Sequence, residues 1–496
     1  MKQPLFPPSI AGVFLLSLAY WLYLSLTTSM VIVFDAVGYE SLGRMIYTQG
    51  WVSYFTTGPN NEPVYPLLVA TSMAFEHITG VAFVKIMAIF GVIIMFLTQA
   101  LTYKILRLLN IRNGICVLVL AYLGLSPALN NSAFSLYSEI ATYPFILGIV
   151  LTSFYTWEAI KHNKKHRALF YSMLLGILLT SATLIKGVFE CIAPVYVIIF
   201  FTTVFFQPKA SAMADPPNGG DPPSAETDKA KKITTLLLCL AATVSFFYAP
   251  ITGYKWLNLH YNGNFAITNR GPWALYGNTA RRMESLTLKR FAEALAFVPG
   301  EGVCNNLFGP KECDFWSYRK SDEFGYAKLG ELNQQHLPPE KINTTLLGLS
   351  AQKALENPFQ YTLLTFLEGL KMFFWESTKI GFVNYPHWLQ KIYDIKIFNN
   401  GLRFFASLVS LIAVLSIWLQ SLTLLCHPEP PIKTFGGKLR GGSHLAFLIG
   451  ALIFLYILFF SFFFILTRYA LPIAPLYLIS IGIWINQNLS PHAKNH

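Results

Sequence analysis

Long apolar runs set the first limit on what this chain can fold into. Segments of about twenty residues carry almost no charge, at roughly 9–32, 81–103, 114–131, 139–160, 168–186, 188–206, 233–252, 400–425, 444–467 and 470–487. Amphipathic helices of soluble proteins alternate their faces, whereas these runs are apolar all round, as helices facing lipid must be. Composition agrees: 54% of the 496 residues are hydrophobic and 12% are charged, about half the charged share of an ordinary soluble domain. The sequence therefore predicts an all-α polytopic membrane protein with about ten transmembrane helices. The first run is too long for a cleaved leader's apolar core and lacks a small-x-small cleavage site, so it is expected to stay as a helix.

A net charge of +12 could point to nucleic acid, but its placement argues otherwise. Lys2, Lys104/Arg107/Arg112, Lys161/Lys164/Lys165/Arg167, Lys229/Lys231/Lys232, Lys433/Lys438/Arg440 and Lys494 fall at every second helix boundary. That is the positive-inside pattern, and it predicts both termini in the cytoplasm. No nucleic-acid partner is expected. The stretch 63–79 would reverse every later loop if it crossed, so it is expected to lie at the interface or re-enter in part. Residues 207–232, rich in Pro, Gly, Ser and Asp, read as a disordered linker. Five parts are expected: an N-terminal membrane module (1–206) whose first outer loop (33–80) carries the chemistry, the linker, a single helix (233–252), a large extracytoplasmic loop (253–399) and a C-terminal membrane module (400–496). In the large loop, helices are expected near 345–356 and from Pro358 to about Ile380, and Cys304 and Cys313 are candidates for a disulfide. Cys116, Cys191, Cys239 and Cys426 read as apolar residues of the spans.

The stretch after the first run, with Asp35 and Tyr39 followed by Glu62 and Pro63-Val64-Tyr65-Pro66-Leu67, carries the most chemical information. A carboxylate at a membrane exit is costly unless something uses or pairs it. Locally two readings stand open: Asp35 as the N-cap of a short helix over 36–48 that ends at Gly50, or Asp35 as a working acid or base. Three later segments add charge at run ends: Ser138-Glu139 opening the fourth run, Lys186-Gly187 closing the fifth, and Thr467-Arg468-Tyr469-Ala470-Leu471-Pro472 before the last. Each has a plainer reading too, as a helix cap for Glu139 or as interface anchors for Lys186 and Arg468 beside Tyr469.

Taken together these pieces resemble the GT-C glycosyltransferases, and most closely the bacterial relatives of the protein O-mannosyltransferases and the lipid A aminoarabinose transferase. The resemblance covers most of residues 9–206 and 444–487, with Val188 standing where the family usually has Pro after Lys-Gly. It implies a GT-C-like helical fold with interfacial helices in the first outer loop and one large, mostly helical outer loop. It also implies a sugar donor carried on a polyprenyl phosphate, and an acceptor hydroxyl on a protein, an envelope glycan or a lipid. In that frame Asp35 would be the catalytic base, with Tyr39, Glu62, Glu139, Lys186, Arg270, Arg468 and Tyr469 as substrate contacts. Relatives usually place a Lys or Arg before the first Pro of the interfacial segment; here stand Asn60, Asn61 and Glu62, so Arg270 or the pair Arg281/Arg282 would supply the missing cation. Glu62 could alternatively hold a divalent cation with Asp35 or meet a sugar hydroxyl. No cofactor is otherwise implied, and His162 and His166 sit among lysines without the Glu of a zinc-protease helix, so no metal ligand is assigned. The resemblance places the protein in a bacterial cell membrane with its site facing outward. A transporter of lipid-linked saccharides and an O-antigen-type polymerase or ligase are the competing classes.

Overall fold

The computed structural model describes residues 7–206, 225–379, 382–426 and 440–489. Its first half runs α1 (Pro8–Thr27), strand β1 (Ser29–Met30), α2 (Asp35–Thr56), α3 (Val64–Thr79), α4 (Phe83–Leu108), α5 (Asn113–Leu125), α6 (Pro127–Phe134), α7 (Glu139–Lys161), α8 (Lys165–Ile185) and α9 (Phe189–Phe205). Helix α10 (Ala225–Asn262) leads into the large loop. The loop holds α11 (Gly271–Arg282), α12 (Leu288–Phe297), α13 (Glu301–Phe308), α14 (Pro310–Cys313), α15 (Tyr318–Gln334), α16 (Pro339–Glu356), α17 (Pro358–Lys371), strand β2 (Val383–Asn384) and α18 (His387–Tyr393). The chain closes with α19 (Lys396–Cys426), α20 (Arg440–Ser461), a 3₁₀ turn (Thr467–Ile473) and α21 (Ala474–Asn488).

Among the described residues eight segments are long and apolar enough to cross a membrane: α1, α4, α7, α8, Lys231–Asn262 of α10, Lys396–Gln420 of α19, Ser443–Ser461 of α20 and Thr467–Asn488. The chain is thus an all-α, multi-pass integral membrane protein. The other two expected spans take different forms. The run 114–131 is a broken pair, α5 and α6, bent by 46° where Ser126-Pro127 interrupts the helix. The run 188–206 is α9, a shorter apolar helix.

Several expected boundaries move. The short helix after Asp35 does break at Gly50, which takes φ 81°, open to a residue without Cβ; beyond that kink a second helical stretch, counted within α2, runs through Thr56. Helix α17 ends at Lys371 rather than near Ile380. The linker lies mostly outside the described residues, and its last part, from Ala225, is already helix α10. Lys2, Lys433, Lys438 and Lys494 also lie outside the described residues. The stretch 63–79 is helix α3, too short to count among the spans.

Following the chain back and forth puts the α1–α4, α6–α7, α8–α9, α10–α19 and α20–α21 connections at one end of the bundle. Burial ranks the helices: 78% of the α7 window and 72% of the last span are enclosed, against 28% for α10. The two most enclosed spans carry Glu139 and Arg468 at that shared end. Lipid offers no hydrophobic drive between helices, so small residues and hydroxyls do the joining. Helix α10 lies on α8 at Gly176, with Thr180 Oγ1 donating to Phe246 O at 3.0 Å and Thr243 Oγ1 to Ser172 O at 3.1 Å.

The large loop builds two small cores, one around Phe297, Cys304, Cys313, Trp316 and Leu367, the other around Trp273, Tyr276, Leu332 and Leu346. Cys304 and Cys313 are joined by a disulfide. The loop is clipped to the α1–α2 connection by antiparallel pairing of Ser29 with Asn384 and Met30 with Val383. On the other side Lys85 Nζ caps the end of α1, donating to Ser25 O, Leu26 O and Thr28 O at 3.2, 3.2 and 2.9 Å. The start of α2 is therefore held from two directions.

Candidate functional site

Asp35 is the first residue of α2, and it does not cap that helix. Phe34 occupies the N-cap position with φ 52°, a conformation a bulky residue adopts at a cost of about 1–3 kcal/mol. That turn directs the Asp35 carboxylate toward two arginines instead. Arg468, in the 3₁₀ turn, donates to Asp35 Oδ2, and Arg270, at the N-cap of α11, stands 3.6 Å from Oδ1. Burial would push the Asp35 carboxyl up, but the charges of Arg468, Arg270 and Lys186 outweigh it and hold it below the usual carboxylate range.

A second pair lies beside the first. Glu139 opens α7 without capping it, and its Oε1 accepts from Lys186 Nζ at 2.9 Å. Lys186 ends α8 in extended backbone; burial opposes its charge, yet Glu139 and its neighbours keep the ammonium above its ordinary range. Tyr469 separates the two cations, its ring 5.6 Å from Lys186 Nζ and 5.5 Å from the Arg468 guanidinium, which also sits 4.3 Å over Tyr137. Tyr39 stands one turn beyond Asp35. Its hydroxyl shares a 2.9 Å hydrogen bond with Ser138 Oγ, its ring meets Tyr65 edge-on, and burial pushes it up to about 12. Glu62 Oε1 accepts from the Gly187 N–H at 2.7 Å, tying the first loop to Lys186's neighbour.

The structure thus brings Asp35, Tyr39, Glu62, Glu139, Lys186, Arg270, Arg468 and Tyr469 together from six separate stretches of chain. Two buried polar atoms in this group make no protein hydrogen bond, Glu139 Oε2 and Arg468 Nε, and neither do Tyr65 Oη and Tyr137 Oη beside them.

Two expectations are corrected. Arg281 and Arg282 do not supply a cation here, because they close α11 at the end opposite Arg270 and are buried against Glu368 and backbone carbonyls. A divalent cation shared by Asp35 and Glu62 also lacks support, since Asp35 is engaged by arginines and Glu62 by a backbone N–H. Among the described residues no group of three or more His, Cys, Asp or Glu could hold a metal. Of the loop aromatics, Trp273, Tyr276, Trp316 and Trp375 are buried core, while Trp256 and Tyr318 are exposed.

Sequence reasoning missed two neighbours on α15. Asp322 and Tyr326 lie within electrostatic reach of Arg270 and Asp35; burial raises both, Asp322 more directly opposed by Arg270. They are brought there because α15 crosses α11 on two glycines: a Cβ on Gly277 would run into Ser321 O, and one on Gly325 into the Trp273 backbone. Tyr326 stacks on Trp273 at 4.4 Å and keeps its other side exposed. Nothing in the local sequence separates these residues from the rest of a polar helix.

An apolar recess of about 370 Å³ adjoins the site, lined by Trp51, Val52, Phe55, Tyr254, Leu257 and Tyr261. It starts behind the Glu62 turn, where Tyr54 Oη donates to Asn61 O at 3.0 Å. No family model, no curated protein and no solved structure matches this chain.

Proposed function

We propose that the protein is an inverting glycosyltransferase, moving a sugar from a polyprenyl-phosphate donor to an acceptor hydroxyl at the extracytoplasmic face of a cell membrane. One observation carries this: a carboxylate flanked by two arginines, beside a lysine, at the membrane edge of the bundle. The orientation is supported by lysines and arginines at the opposite end, Lys104, Arg107, Arg112, Lys161, Lys164, Lys165 and Arg167 among them. A disulfide in the large loop suits an oxidising exterior.

The chemistry asks for few groups. The acceptor oxygen forms a bond to the anomeric carbon while the bond from that carbon to the phosphate oxygen breaks. The acceptor proton passes to Asp35, and the charge left on the phosphate is met by cations. Arg468 and Arg270 can present forks to phosphate oxygens, and Lys186 a compact charge. In the structure both arginines hold Asp35 instead. A donor phosphate competes for them, and freeing Asp35 raises its proton affinity as the donor arrives. The carboxylate is kept ionised and idle until a phosphate draws its arginines away. The isoprenoid chain finds an apolar place in the recess at Trp51 and Tyr254. Asp322 and the open face of Tyr326 stand on the acceptor side, a carboxylate and an aromatic face suited to a polyhydroxylated or polar partner.

Comparing lipids and glycoconjugates extracted from cells with and without the gene tests this. A sugar lost from an envelope acceptor, with its polyprenyl-phosphate donor accumulating, is expected. The same sugar lost, but with its lipid-linked donor trapped on the cytoplasmic leaflet, would favour a transporter, and unchanged glycoconjugates with no donor accumulating would overturn the reading.

A further inference from the structure

The chain between α20 and the 3₁₀ turn makes few regular backbone bonds of its own, yet it leads directly into Arg468. A segment without a ladder takes its shape from whatever satisfies its backbone groups. Here those partners come from the large loop. Asn278 Nδ2 donates to Phe462 O at 2.9 Å, and Arg282 Nη2 donates to Ser461 O at 2.6 Å and Phe463 O at 3.2 Å. The Ile465 N–H donates to Glu368 Oε2 at 3.3 Å, and the Phe464 ring lies between the Arg281 guanidinium at 5.1 Å and Lys371 Nζ at 4.8 Å. Glu368 is in turn held by Arg281 at 3.0 Å and Lys371 at 2.8 Å.

Asn278, Arg281 and Arg282 all belong to the last turns of α11, and the first end of that helix presents Arg270 to Asp35. A helix of 12 residues spans about 18 Å and is stiff over that length. One rigid rod therefore touches both cationic partners of Asp35, one directly and the other through the strap 461–467.

We propose that α11 is the positioning element for the two arginines, its Asn278–Arg282 end clamping the strap that aims Arg468. The large loop would then set the geometry of the phosphate-binding arginines as a unit, so that its docking governs whether the site is assembled. Glu368 and Lys371 lock the clamp and touch no substrate. This rests on the functional reading only for the role of Arg468; the clamping is a property of the fold.

The experiment uses full-length protein in lipid nanodiscs, with a polyprenyl phosphate as the probe. Two variants weaken the clamp without touching the site, Asn278→Ala and Arg282→Lys. Each should raise hydrogen exchange across 462–469 by about tenfold with α7 unaltered, and weaken binding of the lipid phosphate by about tenfold. Combining Asn278→Ala with Arg468→Ala should weaken binding no further than Arg468→Ala alone, because the clamp acts through that arginine. Independent, multiplying losses would overturn the proposal, as would unchanged exchange in the strap of both variants. If wild-type protein fails to bind the lipid phosphate, the functional reading falls, and the exchange measurement alone decides the clamp.

Discussion

Two clusters of arginine, lysine and carboxylate stand at opposite ends of α11, and they solve opposite problems. At the far end Glu368 is ringed by Arg281, Arg282 and Lys371, fully enclosed, with the terminal guanidinium nitrogens and the ammonium bonded to acceptors of the protein itself while Arg281 Nε and Arg282 Nε stay unmet. Burial pulls Arg282 down to about 10 and Lys371 to about 8, while Glu368, buried too, is held low by the cations around it. At the near end Asp35 and Arg270 stay partly open, with side-chain exposures of 26% and 40%, and polar atoms there remain unmet. The difference separates structure from function. An enclosed ion cluster admits no ligand, whereas a partly open one can exchange its internal pairs for a substrate.

That contrast can be broken in several places, and the enclosed end should give the largest effect. Glu368→Ala leaves three buried cations without their counter-charge and should cost about 3–5 kcal/mol, read as loss of monodisperse, folded protein on size-exclusion chromatography. Next comes Cys304→Ser, which opens the disulfide beside the same core. A closed loop this short should contribute about 2–3 kcal/mol, seen as a lower unfolding temperature with lipid-phosphate affinity retained. At the open end the effects should fall on binding and catalysis. Arg270→Ala should weaken donor affinity by about tenfold while the unfolding temperature moves little, because a partly exposed pair adds little stability. Arg468→Gln should shift the acid limb of the activity profile to higher pH. The sign follows from the cations: they lower the Asp35 pKa, so removing one raises it, and the base becomes protonated at a higher pH.

What could be read in the sequence follows the same division. Asp35, Glu139, Lys186 and Arg468 stood out because a charge at the end of an apolar run is expensive and invites a reason. The spans were legible because lipid demands continuous apolar length, and the two that deviated did so where Pro127 breaks a helix and where α9 is short. Arg281 and Arg282 misled because sequence proximity to Arg270 hides the length of α11, which carries them to its far end. Asp322 and Tyr326 were invisible because their place depends on the Gly277–Gly325 crossing, a contact between helices that no local pattern encodes. Glu376 was missed as well. It accepts from Tyr122, Ser126 and the Ala128 N–H at 2.8, 2.6 and 2.9 Å, so a loop carboxylate braces the break between α5 and α6.

Asp35 is proposed as the base of a sugar transfer from a lipid phosphate. The most direct measurement is transfer from a polyprenyl-phosphate sugar in proteoliposomes, by wild type and by Asp35→Asn. Wild-type protein should transfer the sugar with inversion, and the variant should lose about 10²–10⁴-fold in rate while still binding the donor. Transfer by Asp35→Asn at the wild-type rate, or no transfer by wild type in the presence of acceptor, would contradict it.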